Sequence, residues 1–412
     1  MKSDLDRLMQ QAGLDALWIR GSALHNPAMA YFTGQVHVSG GDLFKKRGQD
    51  PVLVCDAMER EEGARSGLVT RIGSEFGWQE LLRQTGGDVL ETQAQWYGRM
   101  LCEFDIRGRV AVYGQVEIGP LYATLRRLEE RIPEITFVGE ALARSVLTLA
   151  RMTKEQAEVE RIRAIGQTTV AVIGEVASFL TSHQVRDGVL VSRSGDPLTV
   201  GEIKRRINLW LAMRAAENPE GTIFSLGRDA GIPHSTGAAA DVIRVGTPII
   251  FDIYPCEAGG GYFYDITRTW CLGHAPDEVM RVYEDVLETY QAVSTAMALN
   301  TPCREYQRMT CELFEAKGHP TIMSDPKTQQ GYVHSLGHGV GLAVHEGPSF
   351  RDYDGNDDLL VPGSVITIEP GLYYPERGLG VRLEDTVWVR PDGGLEVLAD
   401  FPKDLVLKVP GG

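Results

Sequence analysis

The segments PIIFDIY (residues 248–254), AGGG (258–261) and YFYDIT (262–267) decide the reading of this chain. Two apolar, β-prone runs flank a glycine turn, which is the pattern of an antiparallel hairpin. Asp252 and Asp265 interrupt the two runs, and their midpoint falls in the turn, between Ala258 and Gly259. In an antiparallel pair centred there, the two carboxylates lie opposite or diagonal, with Cβ atoms roughly 5–8 Å apart. The form recurs in VITIEP (365–370), a turn at PERG (375–378) and VRLEDT (381–386). The midpoint of Glu369 and Glu384 again falls in the turn, between Glu376 and Arg377, so a second pair of acids faces across a second hairpin.

An acid inside an apolar strand is informative because burial of an unpaired carboxylate is costly. A single one is accounted for by a salt bridge in the core. Four, paired across two hairpins, need several positive charges, which two divalent cations supply more compactly than lysines or arginines. A third segment, VHSLGHGVGLAVHE (333–346), places three of the chain's 9 histidines close together. Its alternating glycines fit poorly on a helix. They suit an extended strand with His334, Leu336, His338 and Val340 on one face. Four carboxylates with an imidazole make a hard, oxygen-rich site suited to Mn²⁺, Co²⁺ or Zn²⁺ rather than a sulfur-rich structural zinc site. Two such ions roughly 3.5–4 Å apart, bridged by carboxylates, can activate a water for amide hydrolysis.

The bulk numbers agree with a soluble enzyme. A length of 412 residues suits two domains, and 43% hydrophobic with 24% charged residues is ordinary for globular proteins. The formal net charge of −15 disfavours nucleic acid and anionic membranes as partners. Six cysteines without a CxxC pair read as reduced thiols, not a disulfide scaffold. The N-terminus carries acids and no apolar leader pattern, and no run approaches the ~18 apolar residues of a membrane span, so a cytoplasmic location is expected.

Residues 1–150 read as an α/β domain. Leu5, Leu8 and Met9 suit a short amphipathic helix, residues 16–19, 51–55 and 110–113 suit strands, and 120–130 suits a helix. Between Gln35 and Asp50 the expectation is a glycine-containing loop with three consecutive cations, Lys45, Lys46 and Arg47. The texture changes near 149–153. Val159, Ile162, Ile165, Val170, Ile173, Val176 and Leu180 recur at helical spacing, with Thr153 as N-cap. Further helices are expected at 199–216 and 276–299.

These motifs resemble the pita-bread metallopeptidases, in the branch of creatinase, aminopeptidase P and prolidase. The resemblance implies an α+β architecture. Residues 151–412 would form a catalytic pita-bread domain, a curved antiparallel sheet flanked by helices, preceded by a smaller creatinase-like α/β domain over 1–150. AYFTG (30–34) and MERE (58–61) look like that first domain. By resemblance, Asp252, Asp265, His338, Glu369 and Glu384 bind two metals, with Asp265 and Glu384 bridging and Glu369 also acting as general base. His345 would stabilise the oxyanion, His234 would contact substrate, and His334 would line the pocket for the residue after the scissile bond. Arg382 is expected to hold a substrate carboxylate or orient a ligand acid.

The extra N-terminal domain argues against methionine aminopeptidase, and the full ligand set argues against creatinase. The expected reaction is hydrolysis of Xaa-Pro dipeptides, with release of the first residue from longer Xaa-Pro peptides as the alternative. A non-catalytic binding module on the same fold is disfavoured by the intact ligands. A dipeptidase needs a cation for the free carboxylate, and the candidates are Arg351, Arg377, Arg382 and the 45–47 cluster. The resemblance also implies a homodimer, and the isolated positive charge and glycines of the 35–50 loop suggest that it closes a neighbour's active site.

Overall fold

The computed structural model describes residues 4–411. The chain divides into two compact units, Met1–Arg151 with Gly259–Gly261, and Met152–Ala258 with Tyr262–Gly412.

The first unit is built on a six-stranded sheet in the order Val69–Ile72, Val52–Cys55, Gly41–Lys46, Ala16–Gly21, Gly108–Gly114, Ile135–Val138. Strand residues alternate between two apolar cores. Leu17, Ile19, Leu43 and Leu53 pack on one face, and Trp18, Phe44 and Val54 on the other. Both faces are therefore covered.

The expected 35–50 loop is corrected here, because residues 41–46 form an interior strand of this sheet, paired on both sides. Lys45 has no exposed side-chain surface. Its ammonium donates to Asp6 Oδ1 (2.7 Å), Lys46 O (3.0 Å) and Gln49 O (2.7 Å). Lys46 pairs with Asp105 and Arg47 with Asp15. All three cations are thus paired with acids of their own unit.

The second unit combines antiparallel sheets with four long helices, Gln156–Thr181, Val200–Ala212, Asp277–Ala296 and Cys303–Ala316. Gln156–Thr181 is long and apolar enough to cross a membrane by composition. Its Val159, Ile162, Val172, Ile173, Val176 and Leu180 are instead buried, as in a core helix. Its N-cap is Glu155, not Thr153: the Glu155 N–H donates to the Glu158 carboxylate at 2.8 Å. Thr153 bridges to Ser364 in a short strand-like contact. Thr199 does cap the second helix.

Two sheets carry the acids. One has the order Thr222–Leu226, Pro248–Ile253, Ile266–Leu272, Val406–Leu407. The other runs Glu346–Ser349, His338–Gly339, Val365–Ile368, Asp385–Val389, Leu395–Val397. The expected strand over 333–346 is reduced to His338–Gly339. A Cβ at Gly337 would meet Thr367 O at 2.1 Å, and one at Gly339 would meet Gly347 O at 1.9 Å. These glycines serve close backbone approach to neighbouring segments, which replaces a regular ladder.

Replacing Lys45 with methionine should lower stability by about 1–3 kcal/mol, since it removes the buried ammonium's bonds to the Asp6 carboxylate and to the Lys46 and Gln49 carbonyls. The measurement is the urea midpoint of unfolding. A midpoint equal to wild type would show that the lysine is exchangeable for a solvated surface cation.

Candidate metal centre and active site

Strand register gathers the acids. Asp252 sits in the Pro248–Ile253 strand opposite Thr267, with Ile253 opposite Ile266, so Asp265 lies on the diagonal of the same hairpin. In the second hairpin Ile368 faces Asp385 and, beyond it, Gly371 faces Arg382. Continuing that register sets Glu369 against Glu384, but the two belong to neither ladder. The Glu384 N–H donates to Thr267 O (3.1 Å) and the Glu369 N–H to Leu336 O (2.8 Å). The split turns Glu384 toward the first hairpin and Glu369 toward the histidine segment.

The resulting cluster is buried. Ligating atoms of Asp265, His338 and Glu384 lie within 4.8 Å of one another. His338 Nε2 stands 3.5 Å from Glu369 Oε1 and 3.7 Å from Asp265 Oδ2. Burial, reinforced by the neighbouring acids, pushes the Asp265 and Glu369 carboxyls well above their ordinary range. The same causes push Glu384 up to about 8. Burial pushes His338 and His334 down to about 3, which keeps both imidazoles neutral. Neutral imidazole and carboxylate oxygens are the forms that bind metal. One oxygen each of Asp252 and Asp265 is buried with no hydrogen-bond partner, as expected of atoms that complete their coordination with a cation. The residues present therefore fit divalent ions, and Asp252, Asp265, His338, Glu369 and Glu384 are the ones that would hold them.

Arg382 is the cation built into this cluster. Its guanidinium donates to Asp252 Oδ2 (2.6 Å), Tyr373 Oη (2.7 Å) and Thr267 Oγ1 (3.1 Å), and the residue is 3% exposed. It is placed to orient a ligand acid, and it also borders the cavity onto which the acids open.

The acids open onto a cavity of about 1060 Å³, lined also by His234, His334, His345 and Arg351. His234 and His345 are exposed to it, and the His345 ring lies 4.3 Å from that of His338. Burial lowers the His345 pKa. Of the cations expected to read a carboxylate, Arg377 pairs with Glu278. Arg351 lines the cavity, and its guanidinium makes no ion pair among the described residues.

Three contributors escaped sequence reading. Thr267 Oγ1 donates to Glu384 Oε2 at 2.7 Å, and its place two residues beyond Asp265, on the same strand face, was an available signal. Tyr373 Oη bridges Arg382 and His334 Nε2 (2.9 Å). Gln307, 2% exposed, accepts from the Leu336 N–H (2.6 Å) and donates to His334 O (3.2 Å). Nothing local marks a helical glutamine for that task.

What fold and site define is a carboxylate–imidazole metal centre. Residues 160–391 match metallopeptidase family M24. A curated relative, the Xaa-Pro dipeptidase of Pyrococcus furiosus, is 34% identical over 194 residues, covering 47% of this chain. That match spans about half of the relative, 51% of its length. Among solved structures, the prolidase of Pyrococcus horikoshii OT3 is similar with TM-score 0.72 and 22% identity, covering 98% of both chains. The X-Pro aminopeptidase of Thermotoga maritima gives TM-score 0.72 and 23% identity, covering 98% of this chain and 100% of that one. The chain belongs to metallopeptidase family M24, its fold is the pita-bread fold, and the family implies divalent metal ions as cofactor.

Metal should stabilise the fold by relieving the repulsion among these acids. Dialysis against EDTA should lower the thermal midpoint. Restoring Mn²⁺ at a hundred times its Kd should raise it by about 5–10 °C. Asp265→Asn should abolish that response, and an unchanged response in the variant would remove Asp265 from the ligand set.

Proposed function

We propose that this chain hydrolyses Xaa-Pro dipeptides with two divalent ions, Mn²⁺, Co²⁺ or Zn²⁺. In this reading Asp252, Asp265 and Glu384 would hold one ion, and Asp265, His338, Glu369 and Glu384 the other. When bound, the ions acidify a water and polarise the scissile carbonyl. Glu369 takes the water proton and delivers it to the departing nitrogen. With that proton the proline nitrogen, which carries no hydrogen in the amide, leaves as a neutral secondary amine. His345, neutral and facing the cavity, donates an N–H to the developing oxyanion. His234, also on the cavity wall, contacts the substrate, and His334 walls the pocket for proline.

The observation that carries the dipeptide reading is the uncommitted guanidinium of Arg351 on the cavity wall. A dipeptide presents a free carboxylate directly after proline, and a bidentate guanidinium suits it. The named Xaa-Pro dipeptidase relative supports the same choice. The alternative, release of the first residue from longer Xaa-Pro peptides, draws on the cavity volume of about 1060 Å³.

Glu369→Gln should lower kcat by about 10²–10⁴-fold while the circular dichroism stays near wild type. Near-normal turnover would take Glu369 out of the proton shuttle.

Ala-Pro and Ala-Pro-Ala separate the two specificities. Arg351→Ala should raise KM for Ala-Pro about ten- to a hundredfold, as loss of a charged hydrogen bond does, and leave Ala-Pro-Ala unaffected. Equal effects on both peptides would end the assignment of Arg351 to the substrate carboxylate.

A further inference from the structure

A second set of charges lies outside the ligand cluster. Lys154 Nζ and Glu346 Oε2 are 3.1 Å apart, and each side chain is 1% exposed. A buried ion pair is a poor source of net stability compared with apolar residues of the same volume, so its geometric consequence is the thing to examine. Lys154 stands just before the long helix, with its backbone N–H on Gly363 O at 2.7 Å. Glu346 directly follows His345 in the chain. Its second oxygen, Oε1, accepts the Ala343 N–H at 3.1 Å.

The turn between them is held at several points. The Gly341 N–H donates to Ala343 O (3.1 Å), and Gly341 O accepts from the Phe263 N–H (2.8 Å). A Cβ at Gly341 would stand 2.4 Å from Glu346 Oε2 and 2.9 Å from Lys154 Cε. The absence of a side chain there is what lets the pair pass beneath the turn. The Glu346 carboxylate thus folds residues 341–346 around itself, and Lys154 fixes the carboxylate. His345 projects from this turn into the cavity, against the ring of His338.

We propose that Lys154 and Glu346 are positioning residues that hold His345 at the angle its N–H needs. The proposal rests on the peptidase reading given above. Lys154 lies off the cavity and Glu346 only borders it, and neither is among the residues that would hold the metals. Both act through the backbone of the 341–346 turn.

The test is a mutant cycle on the full-length enzyme with saturating Mn²⁺ and Ala-Pro, measuring kcat, KM and thermal midpoint. Glu346→Gln should lower kcat about 10–100-fold, the usual effect of removing a group that orients a catalytic one, with KM within about twofold. In a His345→Ala background the same substitution should cost nothing further, because the residue it serves is gone. If Glu346→Gln does not fold, Lys154→Met combined with Glu346→Gln removes both charges and keeps an acceptor for Ala343. It should show the same loss and the same dependence on His345. An unchanged kcat, or a loss of equal size with and without His345, overturns the proposal. A wild-type enzyme that cleaves neither Ala-Pro nor longer Xaa-Pro peptides overturns the peptidase reading itself, and the positioning role with it.

Discussion

Mutual repulsion among Asp252, Asp265, Glu369 and Glu384 is the constraint on which the rest of the catalytic unit depends. Two carboxylates 4 Å apart repel by about 4 kcal/mol at the effective dielectric of a protein surface, and here four are buried around one point. Arg382 offsets part of this, through Asp252. The upward shifts of Asp265, Glu369 and Glu384 show that one guanidinium does not suffice. The chain alone would resolve the conflict by protonating acids. Divalent ions resolve it by leaving every acid charged and aimed inward, which is the state a peptidase needs.

Holding the acids together then becomes a problem for the backbone. Arg268 answers it on one side. Its buried guanidinium donates to Glu384 O (2.7 Å), Thr267 O (2.9 Å) and Asp385 Oδ1 (2.8 Å), tying the two acid-bearing hairpins where their ladders part. Asp385 is balanced in turn by Tyr290 Oη (2.5 Å) and Lys403 Nζ (2.6 Å). On the other side, Gly337 and Gly339 let the histidine segment press against Thr367 and Gly347. The metal cluster is thus placed by main-chain contacts that a regular sheet would not supply.

The acids were legible in the sequence because their signal is local. A carboxylate in an apolar strand, centred on a glycine turn, has few explanations, and Asp252 and Asp265 follow from period and turn alone. Three of the four long helices of the second unit were legible for the same reason, as Val159 to Leu180 illustrate, whereas Cys303–Ala316 was not foreseen. Lys45 was misread because three adjacent cations look solvated, and its partner Asp6 lies 39 residues away on another element. The Glu155 cap was misread because Thr153 has the stronger intrinsic preference, which its contact with Ser364 overrides. The histidine segment looked like a strand because alternating glycine mimics period two, whereas the glycines answer to steric neighbours that only the folded chain brings together. Commitments such as those of Arg382 and Gln307 are long-range and leave no local trace.

The hydrogen-bond directions at His334 divide the cavity's histidines into two kinds. His334 Nδ1 faces Ser335 O at 2.8 Å, an atom that can only accept, so Nδ1 carries the proton. The imidazole is neutral, which leaves Nε2 as an acceptor. Tyr373 Oη already receives a proton from Arg382, so its own hydrogen goes to His334 Nε2. Both nitrogens of His334 are therefore spent, and what it offers a substrate is the flat face of a fixed ring. That suits a wall against a rigid pyrrolidine better than a donor to a moving charge. His345 has no such double commitment among the described residues, and under the proposed reaction that leaves it a nitrogen for the forming oxyanion. The cavity thus separates shape from charge stabilisation by how many of each imidazole's nitrogens the protein has already used.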